Sequence, residues 1–334
     1  MTDQHALVRA MMETQIAPGA RIVALAEREE GAQGYSGARL RYYDVTYAEA
    51  GTERAIGLVT KDAPLGERRT LGWLAARALP VPRCLIPDTT TDAPLTICME
   101  HVGDLPARGD RARLAARALA AIHHAGLGRD RELPWVPPAD PAFFAEWLVG
   151  VCWRGPWRQR LYGEPYVDWS GRAFARTVPD PRMREALDPF TAPLEAAAGR
   201  FVRDMTALWA EGDALTLLHI DLHSGQVLRQ GDRARIIDWE QARYGPLYVD
   251  LPNYFSRDEA LLYRDALADL GRDIPRDRFL AGYDAANPYV GFKYFGFGVA
   301  DWYTGDPPRP HPRAQYWIDM ILEGTSVGRR LSGG

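Results

Sequence analysis

Lysine is almost missing from this chain. Of the 40 Lys and Arg residues among 334, only two are lysine, Lys61 and Lys293. Arginine, alanine, glycine and proline are abundant, which suggests a GC-rich genome that replaces lysine wherever charge alone is needed. A lysine that survives is then expected to serve for its chemistry, because a compact ammonium fits between phosphate oxygens where a planar guanidinium does not. Cysteine is scarce too. Cys84, Cys98 and Cys152 lie far apart with no Cys-x-x-Cys pair, which excludes a disulfide scaffold, argues against a zinc site and fits a reducing cytoplasm. No apolar run approaches the ~18 residues of a membrane helix, and the opening MTDQHALVRAMMETQ has no signal-peptide core. A cytoplasmic protein off the membrane is expected. Neither sign of charge dominates: 40 basic against 44 acidic residues leave a formal charge of -4, which points away from nucleic acid and from an acidic solvating tail. With 46% hydrophobic and 25% charged residues the chain can build a real core, and its length suits two domains or one two-lobed one.

The first hundred residues read mostly as strands. Residues 20–29, 39–48 and 55–61 are rich in β-branched and aromatic side chains and are separated by turn residues, the pattern of an antiparallel meander. A helix is predicted over 67–79, stopped by Pro80-Val81-Pro82, with short strands at 84–89 and 94–102. From residue 105 helical spacing dominates, so the fold class is α+β, with a β-rich lobe over 1–104 and an α-rich lobe over 105–334. A Pro- and Trp-rich insert, about 133–184, predicts short helices with irregular joints. Its Trp147, Trp153, Trp157 and Trp169 are candidates for an acceptor pocket, whereas the aromatic tail around 289–303 reads as core.

The chemistry concentrates in residues 215–255. One apolar run ends in His219-Ile220-Asp221, and a second, seventeen residues later, ends in Asp238. Between them the sequence predicts a hairpin turning at Gln230-Gly231-Asp232, which would bring Asp221, Gln226 and Asp238 to one end of a small sheet. Two carboxylates and an amide oxygen there suit Mg²⁺, a hard cation that prefers oxygen. The alternative, that Asp221 caps a turn and Asp238 pairs with an arginine, stays open on spacing alone.

HIDLHSGQVL followed by IDWEQARYGPLYVDL resembles the aminoglycoside phosphotransferase and choline kinase-like group of small-molecule kinases, with their His-x-Asp-x(4)-Asn loop and Ile-Asp-Trp/Phe-Glu metal motif. The likeness runs upstream in order through Lys61, the helix beginning near Glu67 and the linker MEHVGD at 99–104. It implies a bilobal protein-kinase-like fold and transfer of the γ-phosphate of ATP or GTP, with Mg²⁺, to a hydroxyl of a small molecule. In this reading Asp221 is the catalytic base and Asp238 and Gln226 hold the metal. Lys61, held by Glu67, meets the phosphates, and the backbone from Glu100 to Val102 receives the purine. The loop containing Gly31, Gly34, Ser36 and Gly37 lies over the phosphates. His219 and Asp250 are structural supports, Glu240 ranks low as a support of metal or substrate, and His123 is assigned to packing. The acceptor implied is an antibiotic of aminoglycoside, macrolide or nucleoside type; a sugar or amino-alcohol kinase of primary metabolism is the alternative. The loop asparagine of the family is Gln226 here, so a non-catalytic nucleotide-binding protein is the rival from another class.

Overall fold

The computed structural model describes residues 4–28, 39–104, 110–296 and 301–324. The chain forms two compact units that interleave in sequence. Residues 1–125, 131–136 and 223–242 make the first, and 126–130, 137–222 and 243–334 the second. Strand-rich structure does give way to helix after residue 104, but the compact units do not divide there. Gly103 and Asp104 pair with Arg229 and Leu228, which stitches the downstream hairpin into the first unit.

In that unit β1 (Arg21–Glu27), β2 (Leu40–Glu49), β3 (Thr52–Ala63), β4 (Cys84–Leu85) and β5 (Leu95–Glu100) form an antiparallel sheet in the order β1-β2-β3-β5-β4. Tyr43, Val45 and Tyr47 alternate inward along β2. They pack with Leu58 and Cys98 against Leu7, Val8 and Met11 of an N-terminal helix, α1 (Gln4–Met11). This period-two burial is what a half-buried strand requires. After Pro64 comes α2 (Leu65–Ala76), which buries Glu67, Arg68, Leu71 and Leu74. The Arg68 guanidinium donates to the carbonyls of Asp88, Thr91 and Ala93. With those carbonyls bound to Arg68, and Pro87 unable to donate, the strand expected over 84–89 shrinks to Cys84–Leu85. The glycine-rich loop with Gly34, Ser36 and Gly37 lies outside the described residues.

The second unit is largely helical. Its core joins the fully buried Trp153 and Trp157 to Phe292, Phe295 and Trp302, with ring centroids 5.0 to 6.3 Å apart. The aromatic tail is core as expected, with Phe297 outside the described residues. The insert differs from expectation: Trp153 and Trp157 are core residues of this unit, not a pocket lining. Trp147 stacks on Phe143 beneath Arg243, and Trp169 is half exposed on a small hairpin.

Candidate functional site

Two clusters of ionisable side chains stand out among the described residues, one in each unit. In the first, Lys61 sits near the end of β3, paired with Ile97 of β5 and Leu40 of β2, and Glu67 lies in the first turn of α2. Lys61 Nζ donates to Glu67 Oε1 at 3.0 Å and to Asp238 Oδ1 at 2.5 Å. Burial alone would lower the Lys61 pKa, but the two carboxylates outweigh it and hold it above the ordinary lysine value. Glu67 is wholly buried. Burial above all, with Asp238 and Glu240 nearby, pushes its carboxyl up to about 7 against the pull of Lys61.

The predicted hairpin forms from Val227–Gln230 and Arg233–Ile236, turning at Gly231, whose φ of +62° favours glycine. It brings Gln226 beside Asp238: Ile237 N donates to Gln226 O at 3.0 Å, and Gln226 Nε2 faces Asp238 Oδ2 at 3.4 Å. The amide oxygen of Gln226 accepts from His223 N instead. Turned over, the amide would set oxygen against the carboxylate, so its neighbours fix this orientation. Asp238 itself has φ +68° at the head of the turn Trp239–Gln241. Glu67, Asp238 and Glu240 each offer a ligand atom within 4.8 Å of one another, and Glu67 Oε2 is buried without a hydrogen bond. An orphaned buried oxygen among hard carboxylate donors fits a small divalent cation. Glu240, ranked low from sequence, lies within reach of this group.

At the end of β5, Glu100 N donates to Arg83 O and His101 N to Gly57 O. The Glu100 carboxylate is gripped by Arg83 at 3.0 and 3.1 Å. The next residue, Val102, is buried.

In the second unit, strand Leu215–Leu218 leads into His219, Ile220 and Asp221. It pairs with Arg243–Pro246, so Asp221 does not extend the hairpin's sheet as the spacing predicted. The turn is held from both sides. The Asp250 carboxylate, 1% exposed, accepts from His219 N and Ile220 N at 2.6 Å each. Ile220, a β-branched residue, has φ +71°, a conformation that persists only when its surroundings dictate it. Its carbonyl accepts from Tyr289 Oη at 2.9 Å and Lys293 Nζ at 3.0 Å. His219 Nδ1 accepts from Asp221 N at 3.3 Å, a bracing contact. Asp221 Oδ1 is bound by Lys293 Nζ at 2.7 Å and by the Tyr294 hydroxyl. Burial would raise the Asp221 pKa, but Lys293 and Tyr294 hold it below the usual carboxylate value. Sequence reasoning missed Tyr289, Lys293 and Tyr294. The scarcity of lysine was the one available signal, and it pointed to Lys293 without naming its partner.

His123 is buried in helix Asp110–Gly126, consistent with packing. Among the described residues no helix is long and apolar enough to cross a membrane.

A family model described as the phosphotransferase enzyme family matches residues 36–292. A search of curated proteins gave no match. Among solved structures, the chain is similar to an aminoglycoside phosphotransferase from Alicyclobacillus acidocaldarius: 16% identity, 88% of this chain and 87% of that one, TM-score 0.50. It also matches an amicoumacin kinase in complex with AMP-PNP, Ca²⁺ and its substrate (13% identity, 98% and 96% covered, TM-score 0.48). A choline/ethanolamine kinase family protein from Mesorhizobium loti matches at 13% identity, with 96% and 99% covered and TM-score 0.45. The α+β, protein-kinase-like fold expected from the sequence is thereby found.

Proposed function

As the chain belongs to the phosphotransferase enzyme family, we propose that it moves the γ-phosphate of ATP or GTP to a hydroxyl of a small molecule. The observation that supports this most is the contact of Lys61 with both Glu67 and Asp238, which brings two distant stretches of sequence around one ammonium. Phosphoryl transfer needs positioning and charge neutralisation more than covalent chemistry, and the two clusters supply those.

Lys61, oriented by Glu67, pairs with the α- and β-phosphates, and the backbone of Glu100 and Val102 receives the purine. Asp238 and Glu240 hold Mg²⁺, with Gln226 joining through Oε1 once its amide turns. A cation held there would supply positive charge to the transferring phosphoryl group. Asp221 accepts the acceptor's proton at its carboxylate, on a turn held by Asp250 and braced by His219. The acceptor is an antibiotic hydroxyl. Cationic aminoglycosides call for clustered carboxylates, whereas Asp168 is engaged by its own turn and Glu195 by Arg154. That favours a macrolide- or nucleoside-type acceptor, with a sugar or amino-alcohol kinase of primary metabolism as the alternative.

Glutamine at 226, where the family's loop has asparagine, favours a second reading, a nucleotide-binding protein without turnover. Thermal unfolding with ATP and with GTP, each with and without Mg²⁺, tests the site first. A nucleotide at ~100 times its Kd adds ~2.7 kcal/mol. A Mg²⁺-dependent shift is expected, and no shift with either nucleotide overturns the reading. Gln226→Asn then separates the two readings: lost activity marks glutamine as a working ligand, and activity gained from none marks a silenced enzyme.

A further inference from the structure

The two lysines of this chain each close on a carboxylate assigned to phosphoryl transfer. The role of Lys61 follows from the family. Lys293 lies one residue beyond the stretch that matches the family model, so the likeness assigns it nothing. It is the penultimate residue of helix Pro288–Tyr294 and is 4% exposed. Its Nζ donates at once to Asp221 Oδ1 and to the carbonyl of the left-handed Ile220. Tyr289, on the same helix, donates to that carbonyl as well, and Tyr294 donates to Asp221 Oδ1 while accepting from Asn253 Nδ2 at 3.2 Å. One short helix thus sets both the backbone turn before Asp221 and the direction of its carboxylate.

We propose, resting on the phosphotransferase reading above, that Lys293 is a positioning residue for the transfer step, holding Asp221 and the strained Ile220 in the one arrangement that receives the acceptor's hydroxyl. An arginine would serve a surface ion pair in a chain this rich in arginine. A point charge on a flexible stem is what reaches a carbonyl and a carboxylate from a buried helix. The position also governs charge. Burial lowers the Lys293 pKa and Asp221 offsets this, while Lys293 and Tyr294 keep Asp221 ionised. The other titratable groups around the pair are Asp250, Cys152, Tyr289 and His219. His219 also lowers the Asp221 pKa through its charge, but less than Lys293, whose Nζ hydrogen-bonds Asp221 Oδ1 directly.

The test uses the full chain with Mg-ATP, following ADP release with water and with a panel of hydroxylated antibiotics and sugars as acceptors. Lys293→Met is expected to leave the Mg-ATP thermal shift unchanged, because Lys61, Glu67 and Asp238 belong to the other unit. It should lower kcat by ~100-fold or more with little change in acceptor KM, the scale of a misplaced general base. It should also move the acid limb of the kcat/KM profile upward by about one pH unit or more, as an ionised carboxylate loses its cation. Lys293→Arg, which retains the charge, should keep the limb at its parental position. A purely structural lysine would lower activity without moving the limb, and that result overturns the proposal, as does unchanged turnover in Lys293→Met. Should Lys293→Met fail to fold, Tyr294→Phe and Lys293→Arg decide: the limb should rise in the first and hold in the second, and the reverse pattern overturns the proposal. ADP release absent from the parent with every acceptor, water included, overturns the phosphotransferase reading itself, an outcome distinct from all of these.

Discussion

Asp221 and Asp238 are both acids beside a lysine, yet removing each should fail differently. Asp221 is held by Lys293 and Tyr294, and the Lys61 cluster belongs to the other unit, so Asp221→Ala should leave Mg-nucleotide binding intact and cut transfer by about 10²–10⁴-fold. Turnover kept in that variant removes Asp221 as the base. Asp238→Ala takes away an acceptor of Lys61 and one member of the carboxylate triad, so the Mg²⁺-dependent part of the thermal shift should vanish. A parental shift in that variant would show that the metal site lies elsewhere. Asp250→Asn puts an amide where two backbone N–H groups need acceptors, and should cost about 1–3 kcal/mol of stability in denaturant unfolding. Of these residues Asp221, Asp238, Lys61, Glu67 and Asp250 could be singled out in the sequence, since each falls in a short pattern that resembles the family's. Lys293 and Tyr294 were not, because 72 and 73 residues separate them from Asp221 and only packing brings them back.

The elements show the same division between local and distant causes. The β2–β3 meander was legible because alternation is a local signal, and the hairpin at Gly231 because turn chemistry is. The shortening of β4 was hidden in Arg68, whose donors act twenty and more residues away. Helix Pro288–Tyr294 read as part of a helical tail with an aromatic cluster, and its second role depends on close packing at Gly291. A Cβ there would stand 2.5 Å from Ile321 Cγ1 and 3.4 Å from the Trp317 carbonyl. Ile321 can yield only in part, so Gly291→Ala should cost about 1–3 kcal/mol. It should also reduce transfer by pushing Lys293 and Tyr294 off Asp221. Unchanged melting together with unchanged turnover would show that this helix tolerates displacement.

At the scale of the whole molecule, the two compact units interleave in sequence. That follows from strand pairing by Gly103 and Asp104 with a hairpin more than a hundred residues downstream. The global stability of the ligand-free protein should nonetheless carry the mark of one buried side chain. Glu67 is raised from 4.5 to about 7, with burial the leading cause. An acid whose folded pKa exceeds its unfolded one binds more protons when folded, so its stabilising contribution is complete below pH 4.5 and lost as the pH rises through 7. The difference corresponds to about 3 kcal/mol across that window. Lys61, raised above its ordinary value, contributes its share throughout that range and adds no slope there. Melting of the ligand-free chain should therefore rise as the pH falls from 8 to 6, before most carboxylates titrate, and Glu67→Gln should flatten that slope. A slope that survives the substitution would assign the proton uptake to another group. A chain whose melting falls over the same interval would mean that Glu67 stays ionised beside Lys61.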